Sequence, residues 1–135
     1  MDNLKVYILQ GDPIPLLRAR YSSRTGTIYN SQKTRQIVDQ INLQQQHFGK
    51  PFFEGPLYVD IVFYMPIPKN ISLNKKQKIS GSYHLVRSDI DNLTKYIFDV
   101  AQSVLFKNDC SISKITAQKI YDENPRTEFT ITVLA

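Results

Sequence analysis

The sequence predicts an α+β fold in a single domain over residues 1–135, with a mixed or largely antiparallel sheet of about four strands and two main helices. Apolar runs rich in β-branched and aromatic residues predict strands at 4–10, 57–65, 112–121 and 127–134. Apolar residues at three- and four-residue spacing predict helices at 31–46 and from about residue 88 onward. A chain of 135 residues is long enough for one domain with a modest core.

Composition limits the cellular setting. The hydrophobic fraction of 41% suits a globular protein, and no apolar stretch approaches the length of a membrane span. The single cysteine excludes an intramolecular disulfide, and the N-terminus lacks the basic and apolar regions of a signal peptide. We therefore expect a cytoplasmic protein without a membrane partner.

The first half of the chain is expected to alternate strand, loop, helix and strand. The strand at 4–10 leads into a Gly-, Pro- and Ser-rich segment at 11–30, which reads as a long loop. We expect His47, near the end of the first helix, to be a favourable C-terminal side chain rather than a ligand or a base. The strand at 57–65 is apolar on both faces except at Asp60, which predicts a central place in the sheet. The apolar edge of the first helix consists of Ile37, Val38, Ile41 and Phe48.

The second half adds a short helix and the last strands. Ser72 is the expected cap of a helix over 72–79. The strands at 112–121 and 127–134 are joined by Asp-Glu-Asn-Pro-Arg, a five-residue turn that predicts an antiparallel hairpin.

The most informative stretch is the start of the main helix. Ser88 or Asp89 can cap it, and Ser88 followed by Asp91 is an acidic variant of the capping box. Helical geometry places Asp91, Lys95 and Asp99 opposite the apolar stripe. The carboxylates of Asp89 and Asp91 then share a small surface with an ammonium. The stripe consists of Leu93, Tyr96, Ile97, Val100, Ala101 and Val104.

Two interpretations of these carboxylates stand at this point. Acidic residues in a first helical turn favour the macrodipole, and Asp91 with Lys95 at i, i+4 is an ordinary surface pair. Alternatively, they serve chemistry together with Asp109, which lies where the chain enters the strand at 112–121. Asp109 can reach them only if that strand packs under the helix.

The segment 89–95, Asp-Ile-Asp-Asn-Leu-Thr-Lys, with Phe98-Asp99, Asp109 and Lys119 after it, resembles the RusA family of Holliday-junction resolvases. Gly-Asp-Pro-Ile-Pro at 11–15, followed by Arg18 and Arg20, is similar to the opening segment of that family. The resemblance implies an endonuclease that resolves four-way DNA junctions as a homodimer, in recombination and repair.

The resemblance also implies roles for particular residues. Asp89, Asp91 and Asp109 would bind Mg²⁺, with Mn²⁺ as a substitute, and Lys95 would be the catalytic lysine. The family usually shows paired aspartates before the last strands, whereas this chain has Asn108-Asp109 and then Cys110. We align Asp109 with the functional aspartate; a gap-free register would instead place Cys110 there.

Basic side chains flank the acidic stretch. The net charge is +5, and two segments, 13–36 and 65–88, carry cations and no acid. Such cations would hold the phosphates of a nucleic acid, or are merely solvated. A catalytically weakened branched-DNA-binding protein and a structural domain with aspartate caps remain alternatives. The candidate DNA-binding residues are Arg18, Arg20, Arg24, Lys69, Lys75, Lys76, Lys78 and Arg87.

Overall fold

A four-stranded sheet carries the fold in the computed structural model, which describes residues 4–17, 20–22, 27–29 and 32–135. In the segments 20–22 and 27–29 only the main chain is described. The strands are β1 (Tyr7–Gln10), β2 (Arg20–Ser22), β3 (Thr27–Tyr29), β4 (Leu57–Pro66), β5 (Ile112–Asp122) and β6 (Arg126–Val133). The helices are α1 (Lys33–Gln46), α2 (Leu73–Ile79) and α3 (Ile90–Ala101), and a 3-10 turn at Asp109–Ser111 precedes β5.

Strand β4 occupies the middle of the sheet, whose order is β1-β6-β4-β5. It pairs in parallel with β5 and antiparallel with β6, so the sheet is mixed. A parallel pair requires a crossover, and α3 lies in the connection between β4 and β5. These features confirm the predicted α+β class and the predicted central position of the strand at 57–65.

The predicted hairpin between the last two strands is wrong. β5 and β6 lie on opposite sides of β4, and the segment between them crosses the end of that strand. Arg126 holds this turn by donating to the Asp122 carboxylate at 3.1 Å and to the Asn124 carbonyl at 2.8 Å. The three residues between the two strands, 123–125, are enough to span two strand spacings, about 10 Å. The length of this turn is therefore compatible both with strands that are neighbours in the sheet and with strands separated by one other strand.

The predicted apolar edge of α1 is also wrong. Ile37, Val38 and Ile41 are 45%, 49% and 46% exposed, and Phe48 beyond the helix is 88% exposed. The helix buries Asp39 and Leu43 instead. The Asp39 carboxylate accepts hydrogen bonds from the Tyr96 hydroxyl at 2.7 Å and from Arg35 Nε at 3.0 Å. This buried polar contact with α3 determines which face of α1 packs inward.

The segment predicted as a long loop contains two short strands. β2 and β3 pair antiparallel, with Arg20 opposite Tyr29 and Ser22 opposite Thr27. Three-residue strands with Gly-, Ser- and Arg-rich surroundings carry too little periodicity to be recognised from sequence.

The apolar stripe of α3 is buried as predicted, with Val104 just beyond the helix end. It packs with the β4 side chains Leu57, Val59, Ile61 and Phe63 in one core. His47 is buried at the end of α1, where its ring bonds the Tyr7 hydroxyl at 2.7 Å and the Pro51 carbonyl at 2.8 Å. Among the residues described, no helix is long and apolar enough to cross a membrane.

Candidate active site

The carboxylates at the start of α3 are not used as caps. Asp89 is the N-cap residue, but its side chain accepts no capping hydrogen bond. Asp91 accepts one bond, from the neighbouring Asn92 N–H at 2.9 Å. The predicted capping box of Ser88 and Asp91 is therefore not formed, whereas Ser72 caps α2 as predicted by accepting from the Lys75 N–H. Asp89 and Asp91 are both exposed and keep most of their oxygen lone pairs available.

These two aspartates lie in an open groove of about 540 Å³ between α3 and the outer strand β5. We call it the carboxylate groove. Its walls come from three segments: the approach to α3, the first turn of α3, and the middle of β5. The lining residues are Tyr83, His84, Asp89, Ile90, Asp91, Ala117, Gln118 and Lys119.

Lys119 fixes the approach to the helix. Its ammonium group donates to the carbonyl of Ser88 at 2.8 Å and to that of Val86 at 3.1 Å. These are charge-assisted bonds to the main chain directly before Asp89. In the sequence this residue enters only through the resemblance to the RusA family, which gives it no role. Its structural part is to hold the segment that delivers Asp89 to the groove.

His84 also lines the groove, and its N–H donates to the Lys119 carbonyl at 2.9 Å. Its ring packs against Tyr121 with centroids 4.8 Å apart, and its Nδ1 is buried without a partner among the described residues. Burial lowers the pKa of His84, and the nearby Lys119 ammonium lowers it further. The imidazole is therefore neutral at pH 7, which leaves one ring nitrogen as an acceptor.

Lys95 lies on the exposed face of α3, one turn beyond Asp91. None of the ion pairs among the described residues joins Asp91 to Lys95. The interpretation of these two residues as an ordinary surface pair therefore gains no support, and the Lys95 ammonium is not tied to either groove aspartate.

Asp109 lies at the opposite end of α3. Its N–H donates to the side chain of Gln102, the C-cap residue of that helix, at 3.2 Å. Burial raises the pKa of Asp99, and the nearby Asp109 carboxylate raises it further. Asp99 and Asp109 thus form a second acidic pair, and the sequence prediction did not include Asp99 in the site. Asn108 accepts from the Cys110 N–H at 3.0 Å, and the Cys110 thiol is free and exposed.

One chain does not bring the three predicted metal-binding aspartates together. Asp89 and Asp91 share the carboxylate groove, and Asp109 is not part of its lining. Within the part of the chain that the structure describes, no three His, Cys, Asp or Glu side chains are placed to hold a metal ion.

The candidate DNA-binding residues fall into several places. Lys69 and Lys76 line a depression together with Asp12 and Glu123, and a further depression extends from Lys69 to His84 of the carboxylate groove. Lys75 and Lys78 face a largely apolar hollow on another side of α2. Arg87 is exposed two residues before Asp89, and Arg20 belongs to β2. Arg18 and Arg24 lie outside the described residues.

Fold and groove together define a small α+β domain with free carboxylates beside cationic side chains, a class of site suited to phosphodiester substrates. The model of the family Endodeoxyribonuclease RusA matches residues 10–132, which is nearly the whole chain. The protein belongs to the RusA family. It is also similar to "Uncharacterized protein YqaN" of Bacillus subtilis (strain 168), at 30% identity over 138 aligned residues that cover 97% of this chain and 96% of that protein.

Membership of the family has direct functional content. It implies an endodeoxyribonuclease of the Holliday-junction resolvase type, with branched DNA as its substrate. The resemblance found in segment 89–95 is thereby confirmed at the level of the family.

Proposed function

We propose that this protein is a Mg²⁺-dependent endonuclease that resolves four-way DNA junctions by paired, symmetric nicks. The observation that carries the proposal is the pair Asp89 and Asp91, whose carboxylates line a groove without serving as caps or ion-pair partners. Exposed carboxylates that the fold itself does not use are available to a cation and a phosphate. In recombination and repair, such an enzyme would separate joined duplexes.

The donor set fits a hard cation. Mg²⁺ prefers oxygen ligands and keeps several waters, so two or three carboxylates in an open groove suit it, and Mn²⁺ accepts the same ligands. Asp89 and Asp91 would hold the ion from one side. A bound divalent cation supplies an activated water and stabilises charge on the scissile phosphate.

We place Asp109 in the site through a second subunit. An α-helix rises about 1.5 Å per residue, so Asp99 lies about 12 Å along the axis from Asp91, and Asp109 is at the Asp99 end. Two copies related by a two-fold axis can bring the acidic pair of one chain to the groove of the other. Asp99 then joins Asp109 as a further carboxylate of the shared site.

The cations around the groove have separate tasks in this proposal. Lys95, free of Asp91, would hold the scissile phosphate or stabilise its developing negative charge. Lys119 keeps the chain before Asp89 in place, so its effect on cleavage is indirect. Lys69 and Lys76, in the adjoining depression, would hold phosphates of a junction arm, which makes binding weaken steeply with salt.

A two-fold dimer also matches the substrate. Resolving a four-way junction takes two nicks at symmetric positions, and a homodimer supplies two equivalent sites with that symmetry. Each nick would leave a 5′ phosphate that can be rejoined, as the family resemblance implies.

The test is cleavage of a labelled four-way junction and a matching linear duplex by the wild type and by Asp91→Asn, with Mg²⁺ or with EDTA. We expect symmetric nicks in the junction alone, dependent on Mg²⁺ and absent in Asp91→Asn, while junction binding persists. Glu54→Gln is the matched control, because Glu54 is exposed and is not part of the groove lining. Equal cleavage by Asp91→Asn and wild type would contradict the proposal.

A second function is favoured by one observation, the Asn108-Asp109-Cys110 sequence in place of paired aspartates. With that change the protein would bind branched DNA and cut it poorly. Tight junction binding by the wild type, with no nicks in Mg²⁺ or Mn²⁺, is the result that would establish this alternative.

A further inference from the structure

The two edges of the four-stranded sheet differ in how far other groups cover their main-chain hydrogen-bonding groups. At the β1 edge, the Gln46 side chain accepts from the Ile8 N–H at 2.9 Å and donates to the Ile8 carbonyl at 2.8 Å, so it covers that edge as a strand would. At the β5 edge, the segment 82–84 covers the strand around Ile120. No other described segment pairs with the outer side of β5. Exposed strand edges attract further strands unless they are blocked.

The uncovered part of β5 is short and has defined ends. At one end, the bonds from His84 N–H to the Lys119 carbonyl and from Tyr121 N–H to the Ser82 carbonyl close the edge, each at 2.9 Å. At the other end, Ser113 is an extra residue, since Ile112 faces Leu57 and Lys114 already faces Tyr58. A bulge of this kind turns the chain out of the ladder. The regular open edge is therefore 114–118.

We propose that this edge, residues 114–118 of β5, is the dimer seam, where it pairs antiparallel with the same edge of a second copy around Thr116. The proposal rests on the proposed function, in which a second subunit completes the site. Main-chain groups alternate between the two sides of a strand. The main-chain groups of Lys119 and Tyr121 point to the outer side of the sheet. The main-chain groups of Ile115 and Ala117 therefore point to that side as well.

The register follows from that alternation. Pairing around Thr116 places Ile115 opposite the partner's Ala117, so that both outward-pointing residues of each chain exchange main-chain bonds. Ile115 is 46% exposed in one chain and meets a small side chain across the seam. On the other face Thr116 meets its own copy, a favourable cross-strand pair. Lys114 meets the partner's Gln118, so no like charges face each other.

This pairing also puts the acidic pair where it is needed. In an antiparallel seam around Thr116, residue 112 of the partner subunit lies level with Ile120, and the turn before it carries Asp109 of the partner subunit. Gln118 and Lys119 line the carboxylate groove beside that position. The bulge at Ser113 lets the partner chain leave the sheet where segment 82–84 already occupies the edge.

A disulfide tests the seam directly. Directly opposed residues in a non-hydrogen-bonded pair have Cα atoms about 4.5 Å apart, within reach of a disulfide. Thr116→Cys, made in a Cys110→Ser background, should form a covalent dimer on mild oxidation. Lys114→Cys in the same background is the matched control: it lies on the same exposed face, but its two copies are four residues apart along the seam and should not cross-link.

Ile115→Pro is the second variant. The Ile115 N–H points to the open side, so proline removes a seam bond and leaves the ladder to β4 intact. We expect a wild-type dimer and an Ile115→Pro monomer by analytical ultracentrifugation, with unchanged circular dichroism. A wild type that sediments as a monomer, or a dimer that cross-links through neither cysteine, would overturn the seam. The seam would also be overturned if Ile41→Asp, on the exposed α1 face, produced a monomer while Ile115→Pro remained a dimer.

Junction cleavage separates this proposal from the proposed function. If Thr116→Cys cross-links and the wild type cuts no junction, the dimer seam is supported and the proposed nuclease function is overturned. If the wild type cuts junctions while Ile115→Pro remains dimeric and active, the nuclease function is supported and the dimer seam is overturned.

Discussion

Asp39 shows how one buried carboxylate orients a helix. It is 3% exposed, and it accepts hydrogen bonds from Tyr96 on α3 and from Arg35 one turn earlier on α1. Burial raises the pKa of Tyr96, and the hydrogen bond to Asp39 adds to this, so the phenol remains the donor throughout the physiological range. The contact ties α1 to the helix that carries the candidate site.

Replacing Asp39 by alanine should destabilise the fold strongly. The change leaves the Tyr96 hydroxyl and the Arg35 guanidinium without their acceptor, which costs about 3 kcal/mol for a buried pair of this kind. Urea denaturation of wild type and Asp39→Ala measures it. Asn42→Ala, on the exposed side of the same helix, should stay within about 0.5 kcal/mol of wild type, and an Asp39→Ala variant as stable as that control would contradict the argument.

Asp99 gives a prediction about pH. Its folded-state pKa lies above the ordinary value because of burial and the nearby Asp109, so the ionised form costs stability that is absent when the group is protonated. Asp99→Asn should therefore be more stable than wild type at pH 7, and the difference should vanish as the pH falls below the ordinary aspartate pKa. Thermal melts in EDTA from pH 3 to pH 7 measure this. A variant less stable than wild type at pH 7 would contradict it.

At the scale of elements, the position of Asp89 in the carboxylate groove depends on β5 as much as on α3. Segment 82–84 pairs with β5, and Lys119 on β5 holds the next segment through the carbonyls of Val86 and Ser88. The start of α3 is thus attached to the outer strand by main-chain and side-chain bonds. A shift of this attachment would move Asp89 without touching it.

Lys119→Met should slow junction cleavage by about 100-fold, because small displacements of a catalytic group have effects of this size. Junction affinity should change little, since Lys119 gives its hydrogen bonds to the protein. Single-turnover cleavage rates and binding titrations separate the two effects. Lys50→Met removes an exposed cation elsewhere and should leave both quantities unchanged. A loss of affinity with an unchanged rate would instead make Lys119 a phosphate contact.

The sequence predicts the elements of this fold better than their arrangement. The stripe of α3, the Ser72 cap and the central strand at 57–65 follow from local rules of periodicity and capping, and the structure confirms them. The side of α1 that packs inward does not follow, because it depends on the Asp39–Tyr96 bond between residues 57 positions apart. The position of β4 between β5 and β6 is likewise set by pairing at long range.

The candidate site shows the same division. The sequence indicates Asp89 and Asp91 through a local motif, and the structure places both in one groove. It does not indicate Lys119 as the residue that holds the approach to α3, because the two carbonyls it binds carry no sequence signal. Nor does it reveal that Asp109 lies at the far end of α3, because that separation appears only once β5 is placed beside the helix.

At the scale of the whole molecule, the separation of Asp109 from the groove leads to a test of the shared site. In the proposed dimer, Asp89→Asn and Asp109→Asn should each inactivate every site of their own homodimers. If one chain supplies Asp89 and its partner supplies Asp109, a mixed dimer contains one site with both aspartates and one site with neither. Equal mixing with free subunit exchange gives half mixed dimers, and so about one quarter of the wild-type sites.

We therefore expect junction nicking to return on mixing the two inactive variants, at about one quarter of the wild-type rate when subunits exchange freely. The nicks should fall on one strand at a time, since each mixed dimer has a single complete site, and paired symmetric cuts should remain rare. Mixing Asp89→Asn with Asp91→Asn is the matched control, because both changes affect the same half of the site and no combination restores it. No recovery in the Asp89→Asn and Asp109→Asn mixture despite exchange would place all three aspartates in one chain. Recovery in the control mixture would instead separate Asp89 from Asp91, and it would contradict their common place in one half of the site.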